Sequence, residues 1–263
     1  MTEPAPRRAN PDLAVRTAAA VVMVGVAAMA LYFGGNLFWL LVVVVSLFMM
    51  AEWADLHGFD GREKRIGQFA LSVPLAIMSP LAAGPGFFAL GLIAGAAFFV
   101  VIVTRSRPLA QGILYCVLPA FALLLLRGEQ DGLLLTFWAM ALVWACDTGA
   151  YFAGRSIGGP KLAPTISPSK TWAGLGGGVF AAAVFAGILQ YQGLAFHLVM
   201  ATPLLAVLAQ LGDLYESMLK RRAGVKDSGT LLPGHGGVLD RLDGLVPVAP
   251  AAALMVEAAK LLS

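Results

Sequence analysis

Long runs without Asp, Glu, Lys or Arg alternate with short, densely charged segments along this chain. Three runs, residues 17–51, 66–104 and 171–212, are each long enough for two transmembrane helices, because one helix needs about 17–25 apolar residues. Three shorter runs have room for one helix each: residues 108–126, 132–146 and 244–256. The pattern therefore predicts nine transmembrane helices, with eight as the alternative.

The composition also fits a protein that folds within a bilayer. Apolar residues make up 59% of the chain and charged residues 13%, and the mean hydropathy is +0.81. Soluble domains carry about 45–50% apolar and about 25% charged residues. Glycine and polar residues around Gly34, Gly84 and Gly193 divide the three long runs. We predict an all-α, polytopic bundle of membrane helices, and the composition excludes a free-standing soluble enzyme.

The basic residues predict the orientation of the bundle. With nine helices, all 18 Lys and Arg residues except Arg127 and Lys260 fall on the same side of the membrane. Loops rich in Lys and Arg are retained in the cytoplasm, so we expect this side to be cytoplasmic, in a bacterial inner membrane.

The expected parts of the chain are a disordered cytoplasmic tail (1–12), N-terminal membrane helices (13–143), and a C-terminal catalytic region (144–263) with cytoplasmic loops 154–170 and 213–243.

The segment 213–243 is the most densely charged part of the protein. Its acids include Asp213, Asp240 and Asp243, and five basic residues lie among them. Asp240 and Asp243 are three residues apart, so a helix would present both on one face. Hard oxygen ligands of this kind suit Mg²⁺, whose remaining ligands are typically phosphate oxygens and water. The pattern predicts a site for a metal ion and phosphate groups.

Two further features of this segment point to phosphate. Ser217 and Lys220 follow Asp213 by four and seven residues, which places all three on one helical face. The glycines in His235-Gly236-Gly237 would let the backbone approach an anion closely.

The segment after residue 146 carries a second candidate site. Asp147 stands at the cytoplasmic end of the sixth predicted helix, where a carboxylate is costly unless it is paired or lines a polar cavity. Lys161, Ser167 and Lys170 follow in a strip of hydrogen-bond donors interrupted by prolines, which also suits phosphate. The glycine-rich stretch from Gly174 to Gly178 lacks a preceding strand, so we interpret it as close helix packing rather than as a nucleotide-binding loop.

Two stretches of the chain resemble a known family. The first reads Ser217-Met-Leu-Lys220-Arg221 and, after four residues, Lys226-Asp227-Ser-Gly229-Thr-Leu-Leu-Pro233-Gly-His235-Gly236-Gly237-Val-Leu-Asp240-Arg241-Leu-Asp243. It resembles the signature of the phosphatidate cytidylyltransferases, also called CDP-diacylglycerol synthases. Asp147-Thr-Gly-Ala-Tyr and the segment from Lys161 to Trp172 look like the family's upstream motif. One position departs from the pattern: Ala173 stands where the family often carries Glu.

The resemblance implies a reaction of CTP with phosphatidic acid that gives CDP-diacylglycerol and pyrophosphate, with Mg²⁺ as the cofactor. The expected partners are therefore CTP, phosphatidic acid and membrane lipids, and no nucleic acid, because the basic residues are dispersed over several loops. A homodimer is one alternative for the oligomeric state, which the sequence does not give. Two other functions stay open: a related CTP-dependent enzyme acting on an ether lipid or a polyprenol, and a transporter.

The resemblance also gives hypotheses for individual residues. Asp213 and Asp240 would hold the metal ion, and Asp243 and Asp147 would complete a site for a second cation. Lys220 and Lys226 would join Asp213 and Asp240 as catalytic residues. The residues expected to bind the phosphates of the two substrates are Lys161, Ser167, Lys170, Ser217, Arg221, His235, Gly236, Gly237 and Arg241.

Overall fold

A computed structural model describes residues 11–229 and 236–262 of the chain. Within this part, nine helices of 17 or more residues follow one another, and one antiparallel hairpin and one short helix interrupt the series. The elements are α1 (Pro11–Phe33), α2 (Gly35–Leu56), α3 (Gly61–Ile77), α4 (Phe87–Thr104), α5 (Arg107–Arg127), α6 (Gly132–Ser156), β1 (Lys161–Ala163), β2 (Ser167–Thr171), α7 (Trp172–Gln190), α8 (Phe196–Arg222), α9 (Leu239–Leu242) and α10 (Leu245–Leu262). The predicted all-α architecture is confirmed.

Six of the described helices are long and apolar enough to cross a membrane, namely α2, α4, α5, α6, α7 and α8. The other long helices, α1, α3 and α10, lie where the uncharged runs predict membrane helices. The total of nine spans stays a prediction. Many large apolar side chains face outward, including Phe88 and Phe98 on α4, both more than 60% exposed. An outer surface of this kind matches the hydrocarbon interior of a bilayer, so the chain is an integral membrane protein.

The predicted breaks between helices are confirmed, and each contains a glycine with positive φ. Gly34 separates α1 from α2 with φ 64°, Gly84 precedes α4 with φ 72°, and Gly193 lies between α7 and α8 with φ 103°. Glycine adopts such backbone conformations at no steric cost. Arg127 covers the first break, because its Nε donates to the carbonyl oxygen of Leu31 at 2.9 Å.

Contacts between distant residues define two ends of the bundle. At one end Arg127 meets the end of α1, and Lys260 forms an ion pair with Glu129 at 2.6 Å. At the other end Trp53 Nε1 donates to the carbonyl oxygen of Pro108 at 2.9 Å. Arg127 and Lys260 are the two basic residues that the sequence assigns to the opposite side of the membrane, so the contacts agree with that assignment.

Glycines allow α6 and α7 to pack at very close range. A Cβ atom added at Gly149 would lie 2.5 Å from the carbonyl oxygen of Gly177, and one at Gly178 would lie 2.8 Å from the carbonyl oxygen of Cys146. The prediction that the glycine-rich stretch serves helix packing is therefore confirmed. Because α7 begins directly after β2, this packing also fixes the hairpin against α6.

Both loops expected to carry the chemistry are shorter than predicted. Helix α6 continues to Ser156, and α8 continues to Arg222, so the first ten residues of the segment 213–243 are helical. The charged residues after Gly212 extend α8 beyond its apolar part, and Lys220, Arg221 and Arg222 in its last turn favour the helix end electrostatically. The candidate residues on α8 thus lie on a rigid element.

Candidate functional site

A cavity of about 420 Å³ opens between α6, β2, α7 and α8. This volume lies within the range of small-molecule binding sites. The polar residues that line it include Asp147 and Arg155 from α6, Lys170 from β2, and Gln210 and Asp213 from α8. Two of the predicted metal ligands and one predicted phosphate-binding lysine therefore share one cavity, which we call the polar cavity.

A chain of polar contacts links these residues across three elements. Lys170 Nζ lies 2.5 Å from Asp213 Oδ2 and donates to Gln210 Oε1 at 3.1 Å. The amide nitrogen of Gln210 donates to Asp147 Oδ1 at 3.2 Å. Gln210 is only 4% exposed, and no role was predicted for it, although a glutamine within an uncharged run of a membrane helix is itself a signal. The chain fixes the relative positions of Asp147, Lys170 and Asp213.

The structure confirms a common helical face on α8 for Asp213 and Ser217, two of the three residues predicted to share it. Ser217 Oγ lies 3.3 Å from Asp213 Oδ1, one turn away on the same face. Further along, Arg221 Nε donates to the carbonyl oxygen of Ile166 at 3.4 Å and so connects the end of α8 with the turn of the hairpin. The hairpin and α8 therefore act as one support for the polar cavity.

A second cluster, which we call the lysine cluster, centres on Lys220. Its Nζ lies 2.5 Å from Asp240 Oδ1 and 3.2 Å from Glu216 Oε1. The other oxygen of Asp240, Oδ2, accepts from the backbone N–H groups of Ser228 and Gly237, each at 2.8 Å. Burial by itself would raise the pKa of Asp240, but the hydrogen bonds from Lys220, Gly237 and Ser228 together hold that pKa below its usual range. Donors thus contact both oxygens of Asp240.

The segment between α8 and α9, described at residues 223–229 and 236–238, is here called the α8–α9 loop. Glu52, near the end of α2, anchors this loop from the N-terminal half of the chain. Its Oε1 accepts from the backbone N–H of Val238 at 2.8 Å, and its Oε2 accepts from that of Leu239 at 2.9 Å. The Ser228 hydroxyl lies 2.9 Å from Glu52 Oε2 and 3.0 Å from Asp240 Oδ2. The Glu52 side chain is buried, and it was absent from the predicted site.

Two glycines near this anchor make room for Glu52. A Cβ atom at Gly229 would lie 2.7 Å from Glu52 Oε1, and one at Gly237 would collide with the Glu52 carboxylate and the Ser228 hydroxyl. Gly236 is required for a different reason, since its φ is 82°. Close approach of a ligand was the predicted role of Gly236 and Gly237, and the structure gives both of them a role within the fold.

The charge of Asp243 interacts with residues of both the polar cavity and the lysine cluster. Burial raises the pKa of this carboxyl to about 7, and the negative charges of Asp213 and Asp147 add to the effect. The backbone N–H of Gly244, which donates to Asp243 Oδ1 at 2.7 Å, and the charge of Lys220 oppose it. Three carboxylates therefore repel one another around a shared region, and a bound cation would relieve this repulsion.

The acidic side chains fit a Mg²⁺ site whose remaining ligands come from bound phosphate and water. Within the described residues, no three His, Cys, Asp or Glu side chains are already grouped as a metal site. Mg²⁺ in phosphate-handling proteins needs only one or two carboxylates, because phosphate oxygens and water supply the rest. Asp147, Asp213 and Asp243 are the acids that could hold it. Asp240 differs from them, because its Oδ2 accepts from two backbone N–H groups while its Oδ1 contacts Lys220.

Glu216 is a further acid of α8 to which no role was assigned. It is fully buried, and its two oxygens make no hydrogen bond within the described structure, although Lys220 lies at ion-pair distance. The hydroxyl of Tyr115 on α5 is likewise buried without a hydrogen bond there. Glu216 therefore adds a second, buried carboxyl group to the lysine cluster, beside Lys220.

The remaining predicted residues lie around these clusters rather than within them. Lys161 and Ser167 are in the hairpin, where Lys161 is exposed and Ser167 is half-buried. Lys226 is exposed in the loop after α8. Arg241 is on α9, next to Asp240, and lines an apolar cavity described below. His235 lies outside the described residues.

The arrangement as a whole suits a reaction between polyanions. Cationic groups and carboxylates alternate over a short distance at the end of the bundle that also carries most basic residues. Such a site neutralises phosphate charge and aligns phosphate groups, which is the main catalytic need in phosphoryl and nucleotidyl transfer.

Comparisons with known proteins point to one family. The chain matches the model of the cytidylyltransferase family over residues 14–259. A phosphatidate cytidylyltransferase of Brucella suis is 40% identical over 247 residues, which cover 90% of this chain and 91% of that protein. A phosphatidate cytidylyltransferase of Pseudomonas aeruginosa is 36% identical over 232 residues, covering 79% and 83%. One of Bacillus subtilis is 48% identical over 126 residues, covering 46% and 47%.

Proposed function

Since the chain belongs to the cytidylyltransferase family, we propose that it joins CTP to phosphatidic acid and releases CDP-diacylglycerol and pyrophosphate. The observation that carries the proposal is the polar cavity, where Lys170 and Asp213 meet Asp147 at the end of membrane-spanning helices. A lipid phosphate lies at the membrane surface, and a nucleotide arrives from water. A charged cavity at a helix end is accessible to both.

The proposed chemistry needs no side-chain base. An oxygen of the ionised phosphate of phosphatidic acid attacks the α-phosphorus of CTP and forms a new P–O bond. The bond between the α-phosphorus and the oxygen that bridges to the β-phosphorus breaks, and its electron pair leaves with pyrophosphate. The difficulty is to bring two anions together in line, so the residues of the site act by position and charge.

We assign the cation and phosphate contacts from the geometry of the described residues. Asp147, Asp213 and Asp243 would hold Mg²⁺, which when bound supplies positive charge to the phosphate oxygens. Lys170, freed from Asp213 by the cation, would neutralise one of the substrate phosphates. Lys220 would neutralise another, from its place beside Asp240. Asp240 and Glu52 would position the segment that leads to Asp243, through their contacts with Ser228, Val238 and Leu239.

We also propose that the site faces the cytoplasm of a bacterial inner membrane. The support is the distribution of Lys and Arg, since the end that carries the polar cavity also carries all but two of them in the predicted topology. This orientation gives the enzyme access to cytoplasmic CTP.

A product assay tests the function directly. Purified protein in detergent, supplied with CTP, phosphatidic acid and Mg²⁺, is expected to form CDP-diacylglycerol and pyrophosphate in equal amounts, and EDTA should stop both. Lipid mass spectrometry and a pyrophosphate assay measure the two products. A polyprenol or an ether lipid consumed in preference to phosphatidic acid would favour the related enzyme instead. Absence of both products from folded protein would contradict the proposal.

A further inference from the structure

A second cavity, with a volume of about 390 Å³, adjoins α9 and is almost wholly apolar. It is enclosed by residues of α1, α2, α5, α9 and α10, with Met140 of α6. Arg241 is the only charged residue among the described residues that line it. We call this cavity the apolar slot.

The apolar slot is elongated along the helix axes. On α2 its lining extends from Phe38 to Met49, twelve residues that span about 16 Å in a helix. On α5 it extends from Cys116 to Leu123. Its shape is therefore a narrow channel parallel to the bundle rather than a rounded pocket.

The charged end of the slot adjoins the α8–α9 loop. Met49 lies one turn before Glu52, and Glu52 accepts from the backbone N–H groups of Val238 and Leu239. Arg241 follows Asp240, which contacts Lys220. The slot thus has one cationic end beside the lysine cluster and an uncharged remainder, as a phospholipid has one anionic end and an apolar remainder.

The outer wall of the slot faces the bilayer. Helix α1 forms this wall, and Val22 and Val26, which line the slot, are 63% and 50% exposed. In a membrane protein those exposed faces lie against lipid chains, so a lipid could enter from the bilayer without passing through water.

We propose that the apolar slot receives an acyl chain of the phosphatidic acid substrate, with the lipid phosphate near Arg241. The inference rests on the proposed function and adds a location for the lipid. Its chemical basis is the match in charge and length between the slot and a phospholipid. Burial of each CH₂ group in the slot contributes to recognition, so the slot also makes the enzyme sensitive to chain length.

Variants that fill the slot test the proposal. Ala120→Phe on α5 and Ala27→Phe on α1 add a ring to its lining, while Ala94→Phe adds the same ring on an exposed face of α4. We expect the first two to lower kcat/KM for dioleoyl phosphatidate relative to dioctanoyl phosphatidate by about tenfold or more. Ala94→Phe should leave this ratio unchanged. An unchanged ratio in both slot variants would overturn the inference while leaving the proposed function intact.

A second measurement uses the unaltered protein, so it does not depend on the folding of a variant. Phosphatidic acid with a photoactivatable diazirine in one acyl chain is bound, irradiated, and located by peptide mass spectrometry. We expect labelling of the α2 and α5 segments that line the slot, and competition by unlabelled dioleoyl phosphatidate. Labelling that is spread over the outer surface and resists competition would show bulk lipid contact only and would overturn the proposal. Failure of the unaltered protein to form any product would instead count against the proposed function.

Discussion

An Asp213→Asn variant is expected to lose CDP-diacylglycerol formation by on the order of 10²–10³-fold. The substitution keeps the size of the side chain but removes the charge that pairs with Lys170 at 2.5 Å and would help to hold the cation. Because the residue is half-buried and lines the polar cavity rather than the hydrophobic core, the protein should still insert and purify. The measurement is kcat with saturating CTP and phosphatidic acid at several Mg²⁺ concentrations.

Asp131→Asn is the matched control for this variant. Asp131 is exposed at the start of α6, its side chain makes no capping hydrogen bond, and it follows Arg127 and Glu129 at the opposite end of the bundle. Its replacement should leave kcat within about twofold, as expected for a surface change. Wild-type turnover by Asp213→Asn would remove Asp213 from the catalytic site.

Glu52→Gln is expected to reduce kcat by about 10–100-fold, the usual effect of losing a partner that orients a catalytic group. A glutamine would turn an NH₂ group toward donors that now face carboxylate oxygens, among them the N–H groups of Val238 and Leu239. Each buried donor left without an acceptor costs about 1–3 kcal/mol, so the thermal midpoint should also fall. Fixed-time product assays measure the fall in kcat, and a thermal unfolding curve measures the fall in the thermal midpoint.

Asp55→Asn, on the same helix, separates this effect from a general loss of charge. Asp55 forms an exposed ion pair with Lys64, and such pairs contribute little to stability. We expect nearly unchanged activity and thermal midpoint. Glu52→Asp offers a second comparison, because it keeps the charge but shortens the reach to the loop. If Glu52→Gln kept full kcat, Glu52 would not be a positioning residue, whatever its effect on stability.

Features that depend on local physics were predictable from the sequence. The helix breaks at Gly34, Gly84 and Gly193 follow from the helix-breaking character of glycine within apolar runs, and the structure has them at those positions. The common face of Asp213 and Ser217 follows from helical periodicity, which holds wherever the helix continues.

Contacts between distant parts of the chain were not predictable in this way. Glu52 and Ser228 are separated by 176 positions, and no local pattern links a carboxylate at the end of α2 with a loop near the C-terminus. Gln210 gave a weak signal, as an amide within an uncharged run, but its partners Asp147 and Lys170 come from two other elements. Only tertiary packing brings these residues together.

Asp240 shows that an aspartate with the spacing of a metal ligand can instead hold a loop in place. The sequence gives its spacing from Asp243 and thus a hypothesis of two metal ligands on one face. The structure surrounds its carboxylate with Lys220 and the N–H groups of Ser228 and Gly237, which suits a residue that holds the loop. Our assignment of the cation to Asp147, Asp213 and Asp243 follows from this difference in surroundings.

The most direct test of the account is the affinity of the site for Mn²⁺, a paramagnetic substitute for Mg²⁺, measured by electron paramagnetic resonance in the presence of CTP. The account predicts that Asp213→Asn weakens Mn²⁺ binding by about tenfold or more, because ligand loss lowers metal affinity. Asp131→Asn should bind Mn²⁺ as the unaltered protein does. Equal Mn²⁺ affinity in Asp213→Asn and the unaltered protein would contradict a cation site formed by these carboxylates.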